Sequence, residues 1–190
     1  VTGASGFLGH HAMPVLTAAY PGTRITGLCS KDYDLTSADA ATKMLLALHP
    51  TIVVHLAAMS GGIAANSQRP ADFFHSNLLL MENMFFACAR QHIGKLVYPM
   101  GGCSYPDHAV SPIGEDQMWN GYPTTTSTGY SMAKKMGIVA AEVYQRQDNL
   151  NSIVLVPGNM YGEYDNYHPM NSHVIPGLIR RFYEARVQSS

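Results

Sequence analysis

The sequence predicts an α/β fold, a doubly wound parallel sheet with helices on both faces. Short runs rich in β-branched residues alternate along the chain with segments whose apolar residues recur every three or four positions. A glycine-rich segment lies directly between the first such run and the first helical segment. The length of 190 residues, with 46% hydrophobic and 13% charged residues, is typical of one folded domain. Ligands of such sheets bind at the carboxyl ends of the strands, so we expect the functional residues there.

The first part of the chain predicts a strand, a helix and a second strand. Residues 1–3 have the pattern of the end of a buried strand, and because no apolar run precedes them, we expect a truncated start. After Gly9, apolar residues at helical spacing predict a helix that ends before Pro21. Residues 25–29 then predict a short strand.

The rest of the chain repeats this alternation. Helices are predicted to begin near Ser37, to cover residues 71–91 and to cover residues 129–145. The predicted strands that follow these helices cover residues 51–56, 95–98 and 152–156.

The composition excludes several classes of protein. The net charge of -1 gives no electrostatic drive toward a polyanion, so no nucleic-acid partner is expected. Cys29, Cys88 and Cys103 are odd in number and form no CxxC pair, which argues against a disulfide framework and a zinc cluster; no metal site is predicted. The sequence contains neither a signal-peptide pattern at its start nor an apolar run of about 20 residues, which predicts a cytoplasmic protein without membrane contact.

The glycine-rich segment predicts a phosphate-binding turn. Its glycines are three positions apart, where they permit a tight turn and let backbone N–H groups approach a pyrophosphate. An ordinary turn from strand to helix remains an alternative. The candidate cofactor-binding residues of this segment are Gly3, Ala4, Ser5, Gly6, Phe7, Leu8 and Gly9.

The choice of dinucleotide is predicted from the end of the second strand. An acidic residue there binds the ribose 2'-hydroxyl of NAD, whereas a basic residue accommodates the 2'-phosphate of NADP. Lys31 favours NADP and Asp32 favours NAD, and the alternative is that both are solvated loop charges. We expect NADP, bound through Lys31, and keep NAD as the second choice.

Tyr130 and Lys134 form a candidate catalytic pair. They are four residues apart in a predicted helix, so both side chains project from one face. An ammonium near a phenol favours the phenolate and lowers the phenol's pKa, which would let Tyr130 exchange a proton with a carbonyl or an alcohol. A pair of this spacing also occurs on solvated helices, and the glycine-rich segment upstream is what favours the catalytic interpretation.

These motifs resemble the extended branch of the short-chain dehydrogenase/reductase superfamily, which implies a Rossmann fold and NAD or NADP. Four further segments, residues 55–66, 70–73, 103–106 and 165–176, resemble the GDP-L-fucose synthase family. This resemblance covers essentially the whole chain. It implies a 3,5-epimerase/4-reductase that converts a nucleotide sugar, GDP-4-keto-6-deoxy-D-mannose, to GDP-L-fucose with NADPH, and we expect a homodimer.

The resemblance also implies roles for individual residues. Tyr130 and Lys134 correspond to the catalytic pair, and Cys103 and His173 to the acid/base residues of epimerisation. The residue types fit, because a ketone at sugar carbon four acidifies the protons at carbons three and five, and thiols and imidazoles titrate near neutral pH. The further cofactor contacts implied are Leu56, Ala57, Ala58, Lys134, Pro157, Asn159, Met160 and His173, and the substrate contacts implied are Asn159 and Arg181.

The chain departs from the family in two places. Gly101 stands where the family has a serine or threonine hydroxyl beside the substrate ketone, and losing one such donor typically costs about 10²–10³ in rate unless a water, a backbone N–H or Ser104 replaces it. Ser5 and Ser30 stand where the family places arginines around the 2'-phosphate, which weakens the preference for NADP.

The end of the chain predicts a fragment. Only a short segment follows residue 175, so most of the C-terminal substrate domain implied by the resemblance is missing. We expect residues 1–190 to form one NAD(P)-binding Rossmann domain, in which residues from about 157 begin a truncated substrate-binding region. Two alternatives stay open: another nucleotide-sugar epimerase or dehydratase with tightly held NAD, and a catalytically silent cofactor-binding module that acts through subunit contacts.

Overall fold

The centre of the protein is a parallel sheet. The structure, a computed structural model, describes residues 1–188; Ser189 and Ser190, the last two residues of the predicted domain, lie outside the described residues. The strands are β1 (Ile52–Val54), β2 (Lys95–Pro99) and β3 (Ser152–Leu155), which pair in parallel in the order β1-β2-β3. Thr2 extends the sheet, because it bridges Leu28 on one side and His55 on the other in parallel. The spatial order therefore reverses direction at Thr2, as in a doubly wound fold.

The first two predicted strands are shorter than the sequence indicates. Residues 1–3 and 25–29 contribute one bridge residue each, Thr2 and Leu28. The Leu28 N–H donates to the Val1 carbonyl (2.9 Å) and the Ala4 N–H to the Leu28 carbonyl (3.0 Å), which keeps the two segments aligned.

Helices connect the strands and cover the sheet. Their bounds are α1 (Phe7–Ala19), α2 (Ala38–Leu48), α3 (Ile63–Gln68), α4 (Pro70–Arg90), α5 (Thr128–Asp148) and α6 (Val174–Gln188). The four predicted helices all form, with boundaries within a few residues of those expected, and α3 and α6 are additional. Ser37 caps α2 by accepting the Ala40 N–H, and Pro70 occupies the first turn of α4, where its missing N–H costs nothing. Within residues 1–188, no helix has both the length and the apolar character to cross a bilayer.

The core lies between the sheet and the helix pair α4 and α5. Phe85 of α4 meets Tyr98 of β2 edge-on, with 5.5 Å between ring centroids, and Cys88 and Leu96 are fully buried beside them. Burial raises the pKa of the Cys88 thiol to about 12, so this cysteine is an inert core residue. Such a core fixes the position of β2, which leads to Cys103, relative to α5, which carries Tyr130 and Lys134.

Candidate active site

The loops that follow the parallel strands meet at one edge of the sheet. A Cβ at Gly3, in the turn after Thr2, would lie 2.7 Å from the Ala57 nitrogen in the loop after β1. The Met100 N–H, after β2, donates to the Leu155 carbonyl at the end of β3 (2.8 Å). A Cβ at Gly102 would lie 3.7 Å from the Pro157 carbonyl oxygen. Residues far apart in the sequence therefore share the edge at which ligands of this fold class bind.

The three glycines of the predicted phosphate loop have different structural roles. Gly3 has φ +69°, and any side chain there would overlap the backbone of Leu56 and Ala57. A Cβ at Gly9 would overlap the carbonyl oxygens of Gly3 and Ala4, so this glycine lets α1 pack on the turn. Gly6 is exposed and caps α1 without a side-chain hydrogen bond. No side chain therefore caps the first N–H groups of α1, and free N–H groups at a helix start are suited to bind a phosphate.

Residues after β3 lie across the start of α1. The ring of Tyr164 stacks on His10 with 4.5 Å between centroids, and His11 Nε2 lies 3.0 Å from the Glu163 carbonyl oxygen. Tyr164 has φ +65°, a conformation that is uncommon for a residue with a side chain. This contact between residues 163–164 and α1 could not be predicted from the sequence, because it joins segments about 150 positions apart.

A buried asparagine holds the loop after β1. Asn77 of α4 is 1% exposed; its Oδ1 accepts the Met59 N–H (3.0 Å) and its Nδ2 donates to the carbonyls of Met59 (2.9 Å) and Phe73 (2.8 Å). Leu56, Ala57 and Ala58 directly precede this anchored residue and are half-buried. The role of Asn77 is not predicted from the sequence. The only feature that points to it is that a polar residue stands among the apolar positions of α4.

The thiol of Cys103 and the phenol of Tyr130 flank Gly101. A Cβ at Gly101 would lie 3.0 Å from Cys103 Sγ, 3.2 Å from Tyr130 Cε1 and 3.7 Å from Tyr130 Oη. Cys103 is exposed, in a short 3-10 helix at Gly102–Ser104. Burial and, to a lesser extent, the negative charge of a Cys103 thiolate raise the pKa of Tyr130 to about 12. The expected lowering of this pKa by a nearby ammonium is therefore not met in the structure.

Lys134 is buried one turn after Tyr130. It is 4% exposed, and its Nζ lies 4.1 Å from the centroid of the Tyr98 ring. Burial lowers the pKa of Lys134 to about 7, and the Cys103 thiolate opposes this shift. The four-residue spacing does place both side chains on the sheet side of α5, but the ammonium faces Tyr98.

Ser104 does not replace the hydroxyl absent at Gly101. Its side chain is fully buried, and its Oγ donates to the Ser131 carbonyl (3.0 Å). This hydrogen bond ties the 3-10 helix to α5 and leaves the hydroxyl facing away from the exposed edge.

Within residues 1–188, the residues predicted after β3 make no hydrogen bond to the thiol or the phenol. His173 is exposed just before α6, where its carbonyl accepts the Gly177 N–H (3.1 Å). Arg181 is exposed, and its Nε donates to the Gly177 carbonyl (3.3 Å). Pro157 is half-buried beside Gly102, and Asn159 and Met160 are exposed after it.

Asp32 is engaged within its own turn. Its Oδ2 accepts the Cys29 N–H (2.7 Å), and this hydrogen bond lowers the pKa of the carboxyl. Lys31 and Ser30 are exposed on the same turn. The carboxylate therefore has a local structural partner, whereas the lysine extends from the turn into solvent.

Gly6→Val is expected to weaken dinucleotide binding by about 100-fold or more, which is roughly 3 kcal/mol, without loss of fold. The nearest atom to the added Cβ is the Gly3 oxygen at 3.3 Å, so the protein tolerates it while the phosphate space fills. Calorimetric titration with NADPH and NADH measures the affinity, and far-UV circular dichroism the fold. Gly9→Val is the contrasting variant and is expected to unfold. A folded Gly6→Val protein with unchanged affinity would contradict the phosphate loop.

Comparisons with known proteins agree with this geometry. The sequence model of the NAD dependent epimerase/dehydratase family matches residues 1–189. The GDP-L-fucose synthase of Escherichia coli (strain K12) is 41% identical over 138 residues, which are 72% of this chain and 43% of that protein. A solved GDP-L-fucose synthetase from Naegleria fowleri bound to NADP has a TM-score of 0.86 at 27% identity, over 100% of this chain and 58% of that chain. A GDP-6-OMe-4-keto-L-xylo-heptose reductase from C. jejuni has a TM-score of 0.88 at 28% identity, over 95% of this chain and 51% of that chain.

The chain spans about half the length of the curated relatives it matches. The predicted resemblance to GDP-L-fucose synthases is confirmed by these relatives, and the predicted doubly wound parallel sheet by the solved structures. The glycine turn, the parallel sheet and the family match lead to one conclusion: the chain belongs to the NAD dependent epimerase/dehydratase family.

Proposed function

We propose that the protein is a nucleotide-sugar 3,5-epimerase/4-reductase that converts GDP-4-keto-6-deoxy-D-mannose to GDP-L-fucose with NADPH. The observation that carries the proposal is the convergence of a thiol and a phenol on Gly101, in the loop after β2. A thiol suits proton transfer at carbon, and a phenol suits proton donation to a reduced carbonyl oxygen. The relatives named GDP-L-fucose synthase support this pairing of chemistries.

The residues at the sheet edge fit a dinucleotide. Gly3 and Gly9 let the turn and α1 pack closely, the exposed Gly6 leaves the start of α1 open to a pyrophosphate, and the anchored loop after β1 lies next to Gly3. A reduced nicotinamide bound there supplies the hydride for the ketone. We propose NADP as the cofactor, with Lys31 as the partner of its 2'-phosphate, because the Naegleria structure is bound to NADP and Asp32 is engaged by its own turn.

The epimerisation requires a base on one face of the sugar and an acid on the other. We assign these roles to Cys103 and His173, whose side chains are both exposed. One group removes the proton from carbon three or five, the electron pair moves to the ketone oxygen, and the other group returns a proton to the opposite face.

The reduction uses Tyr130 and Lys134. Tyr130 gives its phenolic proton to the oxygen on carbon four as that carbon accepts hydride, and the phenolate regains a proton from solvent. Since burial raises the pKa of Tyr130 to about 12, the phenol is protonated and ready to donate at neutral pH. We assign to Lys134, one turn further along α5, the stabilisation of the phenolate that forms.

A reductase of another GDP-linked 4-keto sugar is the second candidate. Gly101 supplies no hydroxyl beside the ketone, and the Ser104 hydroxyl is engaged by Ser131. The C. jejuni heptose reductase is as similar in structure and sequence as the Naegleria protein, with 28% against 27% identity.

We further propose a homodimer and a substrate-binding region that begins near residue 157. Apolar side chains of α4 and α5, including Phe74, Val139 and Val143, are exposed and could cover one another in a second copy. Phe182 and Tyr183 of α6 are likewise exposed, as expected for a helix that packs against further structure or substrate.

Incubating the complete protein with GDP-4-keto-6-deoxy-D-mannose in heavy water tests the proposed function. Without reduced dinucleotide, we expect deuterium at carbons three and five, measured by mass spectrometry, because enolisation needs only the ketone, a base and an acid. Adding NADPH should yield GDP-L-fucose with one NADPH oxidised per sugar, and NADH should react more slowly. Reduction without exchange would favour the second candidate, and the absence of both would contradict the proposal.

A further inference from the structure

Tyr98 of β2 contacts both the side chain and the backbone of Lys134. The Lys134 Nζ lies 4.1 Å from the centroid of the Tyr98 ring, and the Tyr98 hydroxyl donates to the Lys134 backbone carbonyl at 3.5 Å. Both residues are almost fully buried, with exposures of 1% for Tyr98 and 4% for Lys134. One aromatic side chain therefore lies against the main chain and the ammonium of the same lysine.

The helix is shaped to receive this ring. Gly137 lies three residues after Lys134 in α5, and any Cβ there would overlap the Tyr98 ring. Phe85 holds the ring edge-on at 5.5 Å, and His55 lies nearly parallel to it at 6.1 Å. The ring is thus held on several sides, and its position is set independently of Lys134.

The ammonium has no carboxylate partner within residues 1–188. The two ion pairs that the described chain contains, Arg90 with Asp148 and Arg180 with Glu184, do not involve it. The titratable groups that face Lys134 or interact with it are Cys103 after β2, Tyr130 on its own helix, His55 after β1 and Tyr98 itself. His55 is neutral, since burial lowers its pKa to about 3. The Tyr98 π face, 4.1 Å from the Nζ, is therefore a source of negative potential for a cation that lies out of water.

We propose that Tyr98 is the positioning residue of the active-site lysine: the face of the Tyr98 ring fixes the Lys134 side chain and favours its protonated form. The quadrupole of an aromatic ring attracts a cation over its face, and the attraction is larger when the cation is desolvated. A protonated lysine at this place stabilises the Tyr130 phenolate during reduction. This consequence for catalysis rests on the proposed function, whereas the contact and its effect on protonation do not.

Graded fluorination of the ring at position 98 tests the proposal. Fluorine withdraws electron density from the ring face while changing its shape little, so Tyr98→Phe is compared with 4-fluoro-, 3,5-difluoro- and pentafluorophenylalanine at the same position. The sequence has only five lysines, so the Lys134 signal in lysine-labelled protein is assigned by its loss in Lys134→Met. Its titration is then followed by NMR in the chain without cofactor.

We expect the Lys134 proton affinity to be nearly the same in Tyr98→Phe as in the parent. It should fall stepwise with fluorination, by about tenfold or more in the pentafluoro protein. Pentafluorophenylalanine in place of Phe85, a core ring that contacts Tyr98, is the matched control and should leave the titration unchanged. Thermal unfolding verifies that each protein is folded.

A titration that does not depend on fluorine at position 98 would overturn the proposal, as would an equal shift from position 85. If Tyr98→Phe does not fold, 3-fluoro- and 3,5-difluorotyrosine keep the hydroxyl and allow the same comparison. Because the measurement uses no substrate and no cofactor, its outcome does not depend on the heavy-water experiment. Failure of one proposal is therefore distinguishable from failure of the other.

Discussion

Cys103→Ser is expected to slow deuterium exchange at sugar carbons three and five by about 10²–10⁴-fold, while an already epimerised ketone is still reduced at close to the parent rate. An aliphatic hydroxyl is far too weak an acid near neutral pH to replace the thiol. Cys103 is exposed, so serine adds no buried unpaired group and the fold should be unaffected. Mass spectrometry of the sugar follows exchange, and the absorbance of NADPH follows reduction.

Tyr130→Phe is the complementary variant and should fail chiefly in reduction. It removes the proton donor to the oxygen on carbon four but leaves Cys103 and His173 in place. Tyr122→Phe is the matched control, since Tyr122 is 72% exposed and lies outside the cluster around Gly101. Exchange by Cys103→Ser at the parent rate would contradict the epimerase assignment and favour the reductase of another GDP-linked sugar.

Lowering the pH should reduce the free energy of unfolding, because His55 takes up a proton only in the unfolded state. This side chain is fully buried, lies 2.7 Å from Thr2 Oγ1 through Nδ1, and has a pKa lowered to about 3 by burial and by the Lys134 charge. At pH above about 6.5 the histidine is neutral in both the folded and the unfolded state. As the pH falls from about 6.5 toward 3, only the unfolded state takes up the proton, so stability is lost. The loss between pH 7 and pH 4 is about 3 kcal/mol from this residue.

His55→Asn isolates this contribution. Asparagine keeps a polar group toward Thr2 but does not titrate, so the variant should be less stable than the parent at pH 7 and lose less stability between pH 7 and pH 4. Urea unfolding at both pH values measures the free energies. His75→Asn changes an exposed histidine of α4 and should retain the acid sensitivity of the parent. Equal acid sensitivity in parent and His55→Asn would mean that the buried imidazole takes up its proton in the folded state.

The elements that the sequence predicts well are those with local signals. The apolar periodicity of α2, α4 and α5 and the β-branched run of β1 are patterns over neighbouring residues, and these elements form close to their expected bounds. Of the first two predicted strands, only Thr2 and Leu28 pair in the sheet. Strand pairing depends on a partner segment elsewhere in the chain, which the local sequence pattern does not contain. The six-residue α3 carries no periodic signal of its own and was not predicted.

The same distinction applies to the candidate site. Glycine spacing predicts a phosphate turn, but the structure separates Gly3 and Gly9, which pack against backbone, from Gly6, which faces solvent. Ser104 lies close enough in the sequence to replace the hydroxyl that is absent at Gly101, yet its hydroxyl donates a hydrogen bond to the Ser131 carbonyl. Which of two neighbouring groups faces a site depends on contacts that no short motif contains.

The sequence by itself determined the fold class, the glycine-rich turn and the placement of Tyr130 and Lys134 on one helical face, because each follows from backbone geometry within a few residues. The tertiary structure alone decided what those side chains meet. Tyr98 and Lys134 are 36 positions apart, and only the packing of β2 on α5 brings the ring beneath the ammonium. The environment of a buried charge is set by its neighbours in space, and the pKa values of the lysine and the phenol follow from that environment.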